Sequence, residues 1–413
     1  MSSTRNNTRS ATSRLSSICA RALDKHYLGS LYLFTSKVII HDPESHIFIC
    51  NDMNKAKYNK VFQTIKAIKS SLSRSVAAGF LLIMLVYAAS GCAAQTTPAR
   101  TLLALSKGDH VLAIIDPVSL KVIATVPVGS DPHEVIASAD GKTAYVTIYG
   151  GGSLHELNVI DLVAQKPLPT LDTRPLMGPH GITFVDGKVW FTAEGSKTVG
   201  RYDPATGKFD WVMGTGQDRT HMLFVTNDGK KVYTTNVSSG TVSILADSLI
   251  KPNPGPNGFA PPPHWDWVQT VIPVSKGSEG FDVSPDGREL WTAASDDGTI
   301  AVIDIAAKKL STTIDAKAMG ANRLKFTPDG KRVLVTSLRT GDLFIYDAAT
   351  HKEIKRLNTG HGAAGILVDD DGSRAFIGCT ADNYVAVVDL KTLTVTGHID
   401  VRGADGLAWA VRP

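Results

Sequence analysis

From residue 132 onward, short apolar runs alternate with polar breaks, and the whole pattern recurs at a spacing of about 42 residues. The breaks carry Asp-Gly or an equivalent: SADG (138–141), VDG (185–187), NDG (227–229), SPDG (284–287), TPDG (327–330) and DDG (370–372). Each is followed by a β-branched and aromatic run: AYVTI, VWFTA, VYTTN, LWTAA, VLVTS and AFIGC. Asp-Gly between two apolar runs predicts a hairpin, because the tight turn needs positive φ. A polar loop and a further strand ending in Asp come next: NVID (158–161), GRYD (200–203), ILAD (244–247), AVID (301–304), FIYD (344–347) and AVVD (386–389). A Lys-containing turn and a fourth strand close each unit.

Six units of four strands are complete, and the chain ends supply a seventh. TLLALS (101–106), HVLAIID (110–116) and KVIATV (121–126) match second, third and fourth strands, and GLAWAV (406–411) matches a first strand. The unit without an Asp-Gly hairpin is the one whose hairpin would fall at the break between the chain ends. The pattern predicts an all-β seven-bladed β-propeller of four-stranded blades, the last blade shared by both termini. Radial closure hides the sheet edges.

Aligned on the turn glycines, one column is polar in six of the seven blades. It holds His133, His180, His221, Glu279, Asn322, Ala364 and Asp405. The first strand of each blade lines the channel, so these residues are expected to converge at its mouth. Imidazole and carboxylate suit a divalent transition metal, which makes His133, His180, His221 and Glu279 candidate ligands for one zinc, copper, manganese or magnesium ion. The same groups could recognise a ligand without chemistry, move protons near neutral pH, or simply fill a wet position. Asn322, Asp405, Tyr149, Asn236 and Arg219 are candidate ligand contacts at the rim. Gly150-Gly151-Gly152 predicts a mobile loop. No helix follows it, so it is not a phosphate cradle. The recurring Asp161, Asp203, Asp304, Asp347 and Asp389 fit strand-end turns better than acid catalysis. The segment 248–267, with six prolines, His264, Trp265 and Trp267, is expected as a surface loop on the face opposite the His ring.

The N-terminal part follows another pattern. Lys55, Lys57, Lys60, Lys66, Lys69 and Arg74 lead into the apolar run 75–89, and Ala89-Ser90-Gly91-Cys92 follows. This is the layout of a secretory signal. It divides the chain into 1–52, an extension or a misassigned start; 53–92, the signal; 93–100, a short linker; and 101–413, the propeller. Residues 1–91 hold 12 Lys and Arg against 4 Asp and Glu, whereas 92–413 hold 31 against 35. The propeller itself is therefore mildly acidic, which argues against a nucleic-acid partner. Beyond Cys92 the only cysteine is Cys379, so no disulfide framework holds the exported part. It lacks a Ser/His/Asp triad signature and any Cys-x-x-Cys.

ASGC resembles a bacterial lipobox, with Ala89 where Leu is usual. The resemblance implies lipidation at Cys92 and an anchored protein of the periplasm or cell envelope. AYVT (144–147), with its SADG lead and NVID tail, resembles the YVTN-type β-propeller repeat family over about 101–413. That resemblance implies an exported binding or scaffold module, expected as a monomer, whose partner is a small molecule or an envelope protein. One blade, GPHGITFVDGKVWFTAEG, is similar to the repeat of streptogramin lyases, propellers that open a cyclic ester at a metal-assisted site. That similarity implies acid/base roles for His180 and Glu194, although a residue is missing before Asp186-Gly187 and Ala193 is interposed before Glu194. A lyase or lactonase-type enzyme is therefore the alternative to a binding module.

Overall fold

Each Asp-Gly break is a tight turn in the computed structural model. Gly141, Gly187, Gly229, Gly287, Gly330 and Gly372 have φ between 64° and 71°, a region that glycine enters without steric cost. The structure describes residues 96–413 except 257, and before them the strands Leu31–Phe34, Lys37–His41 and Ile47–Asn51. The chain divides into two units, 1–94 and 95–413. In the first, the three strands pair as an antiparallel meander, which the sequence pattern had not assigned. The signal layout at 53–92, Cys92 and the start of the linker lie outside the described residues.

The second unit is a seven-bladed propeller. Blades 1 to 6 occupy 132–172, 179–214, 220–273, 278–314, 321–358 and 363–400, each a sheet of four antiparallel strands in chain order. Blade 7 is shared: Ala404–Val411 forms its innermost strand, followed outward by Arg100–Ser106, Val111–Asp116 and Lys121–Pro127. The innermost strands pack one on the next round the ring, and Ala404–Val411 closes it against Pro132–Ala137. The chain ends are tied as well, Arg412 N–H donating to the Ala99 carbonyl at 2.7 Å.

The core lies between blades. Leu103, Leu105, Leu112 and Ile114 of blade 7 pack on Val135, Val146 and Ile160 of blade 1. Trp291 and Val302 of blade 4 pack on Leu324, Val335 and Phe344 of blade 5. In blades 1, 2, 4, 5 and 6 the Asp that ends the third strand caps a turn. Asp161, Asp203, Asp304, Asp347 and Asp389 each accept from a backbone N–H two or three residues on, as their recurrence predicts.

Two columns fix how closely the inner strands approach. The residue after each ring position is glycine in blades 2, 4, 6 and 7. A Cβ on Gly181, Gly280, Gly365 or Gly406 would lie 2.2 to 2.7 Å from the carbonyl oxygen of the next blade's ring residue. The threonine ending the YVT-type run holds that same carbonyl. Thr147 donates to the His180 oxygen at 2.8 Å, Thr235 to Glu279 at 2.6 Å and Thr336 to Ala364 at 2.7 Å, and Thr192 donates to His221. The repeat motif therefore positions the ring residues through their backbone.

The Pro-rich segment departs from expectation. Ser248–Ile250 and His264–Trp267 are strand, because blade 3 extends its outer hairpin to ten consecutive pairs from Thr241↔Pro273 to Ile250↔His264. The loop proper, 251–263, joins the third and fourth strands on the face away from the ring. Trp267 packs on Trp211 with centroids 4.8 Å apart, while Trp265 is exposed.

Candidate active site at the channel mouth

The seven ring residues hold one structural position: each is the second residue of its innermost strand. Each also sits in a register shift, as between Pro132 and Val135 or Thr220 and Leu223. A bulge inserts an unpaired residue and re-aims side chains. Here it recurs in all seven blades, at the mouth.

His180, His221 and Glu194 converge. One ligating atom from each lies within 4.8 Å of the others, and all three residues are buried. The imidazoles of His180 and His221 are 3.9 Å apart between centroids. Glu194 follows the second strand of blade 2 and opens the short 3₁₀ turn Glu194–Ser196. Its N–H donates to the Gly178 carbonyl at 2.9 Å. His221 Nδ1 contacts Glu194 Oε1, and the Tyr149 hydroxyl donates to Oε2 at 2.5 Å. A carboxylate only accepts, so Nδ1 donates in that contact and Nε2 is the ring nitrogen of His221 left over. That Nε2 and the Nδ1 of His180 are buried without a hydrogen-bond partner. Burial holds the His180 imidazole well below its ordinary pKa, and His221, His133, Arg323 and Lys107 add to the effect. Burial pushes the Glu194 carboxyl up, but His221, Tyr149 and Arg219 outweigh it and keep it ionised. Burial and then Glu194 push the Tyr149 phenol up.

Of the other expected ligands, Glu279 reaches the trio, its Oε2 lying 3.9 Å from His221 Nε2. His133 lies 4.7 Å from His180 between centroids, but both its ring nitrogens are engaged. Lys107 Nζ, a donor only, is 2.8 Å from Nε2, so Nδ1 carries the proton and faces the Asp131 carbonyl at 3.2 Å. Burial and Lys107 lower its pKa. Glu279 accepts from Asn322 Nδ2 at 2.6 Å and faces Arg219 and Arg323 at 3.6 and 3.9 Å. Asp405 pairs with Lys107 at 2.8 Å. Ala364 contributes no polar group.

Two residues that the sequence pattern passed over cross the channel. Arg323 of blade 5 donates through Nε to Glu134 Oε1 of blade 1 at 3.0 Å, with Nη2 on the same oxygen at 2.5 Å. Both side chains are nearly enclosed. Glu134, Asp405 and Glu279 hold the guanidinium charged against the cost of its burial. Lys107, on the hairpin loop of blade 7, was missed too. It directly follows the second strand of its blade, the position that Tyr149 holds in blade 1 and Glu194 in blade 2. Glu134 and Arg323 did leave a signal: they occupy the column that is otherwise mostly glycine.

The rim differs from expectation at two points. Asn236 is not a rim contact. It is fully buried, accepting from Thr220 at 3.1 Å and Thr234 at 3.2 Å and donating to Thr241 at 3.1 Å and Ser243 at 2.9 Å. The triple glycine is a tied turn rather than a loose loop. Gly152 N–H donates to the Tyr149 carbonyl at 3.1 Å, and the Ser153 hydroxyl to Gly150 at 2.6 Å. A Cβ on Gly178 or Gly195 would meet Gly152 backbone atoms at 2.6 and 2.4 Å. Three loops therefore meet at glycine, and that contact brings Tyr149 to Glu194. Arg219 is at the rim as expected, with its side chain 42% exposed.

Asp405 gives this region a pH dependence. Burial raises its carboxyl pKa, but Lys107, Arg323 and His133 outweigh that and set it below the usual carboxylate range. A lowered folded pKa adds stability above the unfolded value of about 3.9, lost as pH falls through the folded value. We expect Asp405→Asn to be less stable than the parent at pH 7 and to flatten the acid limb below pH 4, where one such group contributes at most about 1.4 kcal/mol per pH unit. Urea midpoints from pH 2 to 7 check this; parallel curves for the two proteins would refute it.

The propeller is similar to many solved structures, and the three that follow are distant in sequence. A putative 6-phosphogluconolactonase from Bacteroides fragilis aligns with a TM-score of 0.58 at 16% identity, over 76% of this chain and 99% of its own. The periplasmic gluconolactonase of Pseudomonas aeruginosa aligns with 0.58 at 14% identity, over the same shares. A protein of unknown function from Desulfotomaculum acetoxidans gives 0.59 at 12%, again over 76% and 99%. At such identities the likeness is one of fold. No family model and no curated protein matches the sequence.

Proposed function

We propose that the channel mouth is the active site of a metal-dependent enzyme of the lyase or lactonase sort, opening a small cyclic ester. One observation carries this: three buried ligating side chains within 4.8 Å of one another, two of whose imidazole nitrogens lack a partner. An orphaned buried polar atom costs about 1–3 kcal/mol, and a divalent transition metal would satisfy both nitrogens. The donor set, two imidazoles and one carboxylate, fits zinc and its neighbours. Glu194 has about four lone-pair sites, so it can keep Tyr149 and still face a cation.

When bound, such an ion supplies Lewis-acid polarisation of an ester carbonyl. The chain's own residues do the rest. Tyr149 orients Glu194 through its hydroxyl, and its ring packs edge-on against both His133 and His180. His133 is held in one tautomer by Lys107. The Arg323–Glu134 bridge spans the channel beside the ring. A putative 6-phosphogluconolactonase and a periplasmic gluconolactonase among the fold neighbours support this reading, as does the similarity of blade 2 to streptogramin lyase repeats. The YVTN-type likeness supports the repeat architecture and an envelope setting. We place the protein at a bacterial cell envelope, anchored through Cys92, on the strength of the basic, apolar and small-residue layout of 53–92.

The test is metal content of the propeller, purified without affinity histidines and compared with the His180→Ala/His221→Ala variant. We expect about one equivalent of a transition metal per chain, as for a single three-ligand site, lost in the variant while the circular dichroism is kept. No metal in either protein, even after incubation with zinc or manganese, overturns the enzyme reading. A binding module that uses the same mouth without chemistry would then remain.

A further inference from the structure

Among the described residues Lys107, Arg323 and Arg219 face the mouth, and of these three Arg219 alone has uncommitted donors. Lys107 Nζ is occupied by Asp405 and by His133 Nε2, both at 2.8 Å. Arg323 is buried and bonded to Glu134 and to the Asn322 side chain. Arg219 is different. Its Nε lies 3.7 Å from Glu194 Oε2 and its Nη2 3.6 Å from Glu279 Oε1. Both separations exceed hydrogen-bonding range, and the guanidinium makes no side-chain hydrogen bond among the described residues. It is 42% exposed, directly beside a trio that is closed to solvent.

The backbone presents it there. Arg219 has φ 54°, a left-handed conformation uncommon outside glycine. Its carbonyl accepts from Val237 N–H at 3.0 Å, and the neighbouring Asp218 N–H donates to Ser239 Oγ at 2.8 Å. The turn is tied on both sides, while the side chain is left free to bond.

We infer that Arg219 is the docking group for a carboxylate, and that the ligand of this mouth is a small organic acid whose carboxylate lies one or two carbons from the oxygen that reaches the His180/His221/Glu194 trio. Guanidinium presents a planar fork of five donors that matches a carboxylate bidentately. Glu194 and Glu279 keep it poised without saturating it. Because Arg219 is within 4 Å of Glu194, a carboxylate seated on it leaves the next one or two carbons over the trio. An amide or a neutral ester would leave the fork without its charge partner. The metal proposed above enters only as a spectroscopic reporter.

Malonate is the probe and malonamide its uncharged counterpart. The protein is loaded with Co(II), and each compound is titrated while the visible spectrum is recorded. Malonate should shift the spectrum and malonamide should not. In Arg219→Gln the malonate affinity should fall about tenfold or more, the worth of a charge-assisted bond pair, while Co(II) uptake and thermal midpoint stay unchanged. Arg219→Lys should recover part of the loss, since the charge remains and the fork does not. Equal affinity of wild type and Arg219→Gln for malonate overturns the assignment, as does equal binding of malonate and malonamide. If no Co(II) is taken up, the metal proposal fails by itself. The carboxylate assignment is then decided by calorimetric titration of malonate into the metal-free protein and the same variants.

Discussion

Replacing Arg323 with methionine should cost about 3–5 kcal/mol, the usual result of breaking a buried ion pair from one side. The substitution keeps much of the volume and removes the charge. Glu134 would lose its partner across the channel, and Glu279 and Asp405 would lose the cation that faces them. Three carboxylates would then share an enclosed mouth, so the loss arises from uncompensated charge rather than from packing. The double variant Arg323→Met/Glu134→Leu should recover most of it, because replacing both partners of a buried pair with apolar groups is often near neutral. Urea unfolding at pH 7 checks both. A single variant within about 1 kcal/mol of wild type, as for a surface pair, would mean that water reaches the bridge.

Truncation after Gly403 should have a larger effect. It removes the innermost strand of blade 7, with Ala404, Asp405, Leu407, Ala408 and Ala410 all buried. The inner edge of Arg100–Ser106 would then lie bare. The neighbouring strands Ala363–Val368 and Pro132–Ala137 would lose the element that packs between them. We expect the loss to match the entire stability of an ordinary domain, about 5–15 kcal/mol. The truncated chain should show no cooperative thermal transition and should bind the dye ANS. A sharp transition near that of the parent would show that six blades hold the ring without the seventh.

The repeat was legible because its punctuation is chemical. Six turns require positive φ, and each carries glycine at that point. The ring column was legible for a related reason: the bulge adds the same extra residue in every blade, so counting back from the turn glycine reaches it at eight residues in five blades and at seven in blade 2, which is one residue shorter. That same bulge hid Glu134 and Arg323. Strict alternation sends successive residues to opposite faces of a strand, so a pattern reader assigns one residue per blade to the channel. A bulge breaks the alternation, and here a second column meets across the centre. Asn236 misled for the opposite reason. A polar residue at a strand end suggests a surface, but Thr220, Thr234, Thr241 and Ser243 around it form a saturated polar knot. Glu194 was within reach of the sequence, because its blade resembles a known repeat. That His221 rather than His133 completes its trio follows from the packing of blade 2 on blade 3, in which Thr192, two residues before Glu194, donates to the His221 carbonyl.

The shared blade also decides how the ring responds to a pull. In the antiparallel pairing of its inner strands, Arg100 stands opposite Val411, and Ser106 opposite Ala404. The two ends of the propeller therefore leave the ring side by side. Tension between a tethered N-terminal side and a load on the C-terminus would act on one rung at a time, like a zipper, instead of loading the whole ladder in shear. The first link to part would be the bond from Arg412 to Ala99, followed by the rung between Arg100 and Val411. The rung beside Asp405 would part last, so a partly unravelled ring would still hold its mouth together.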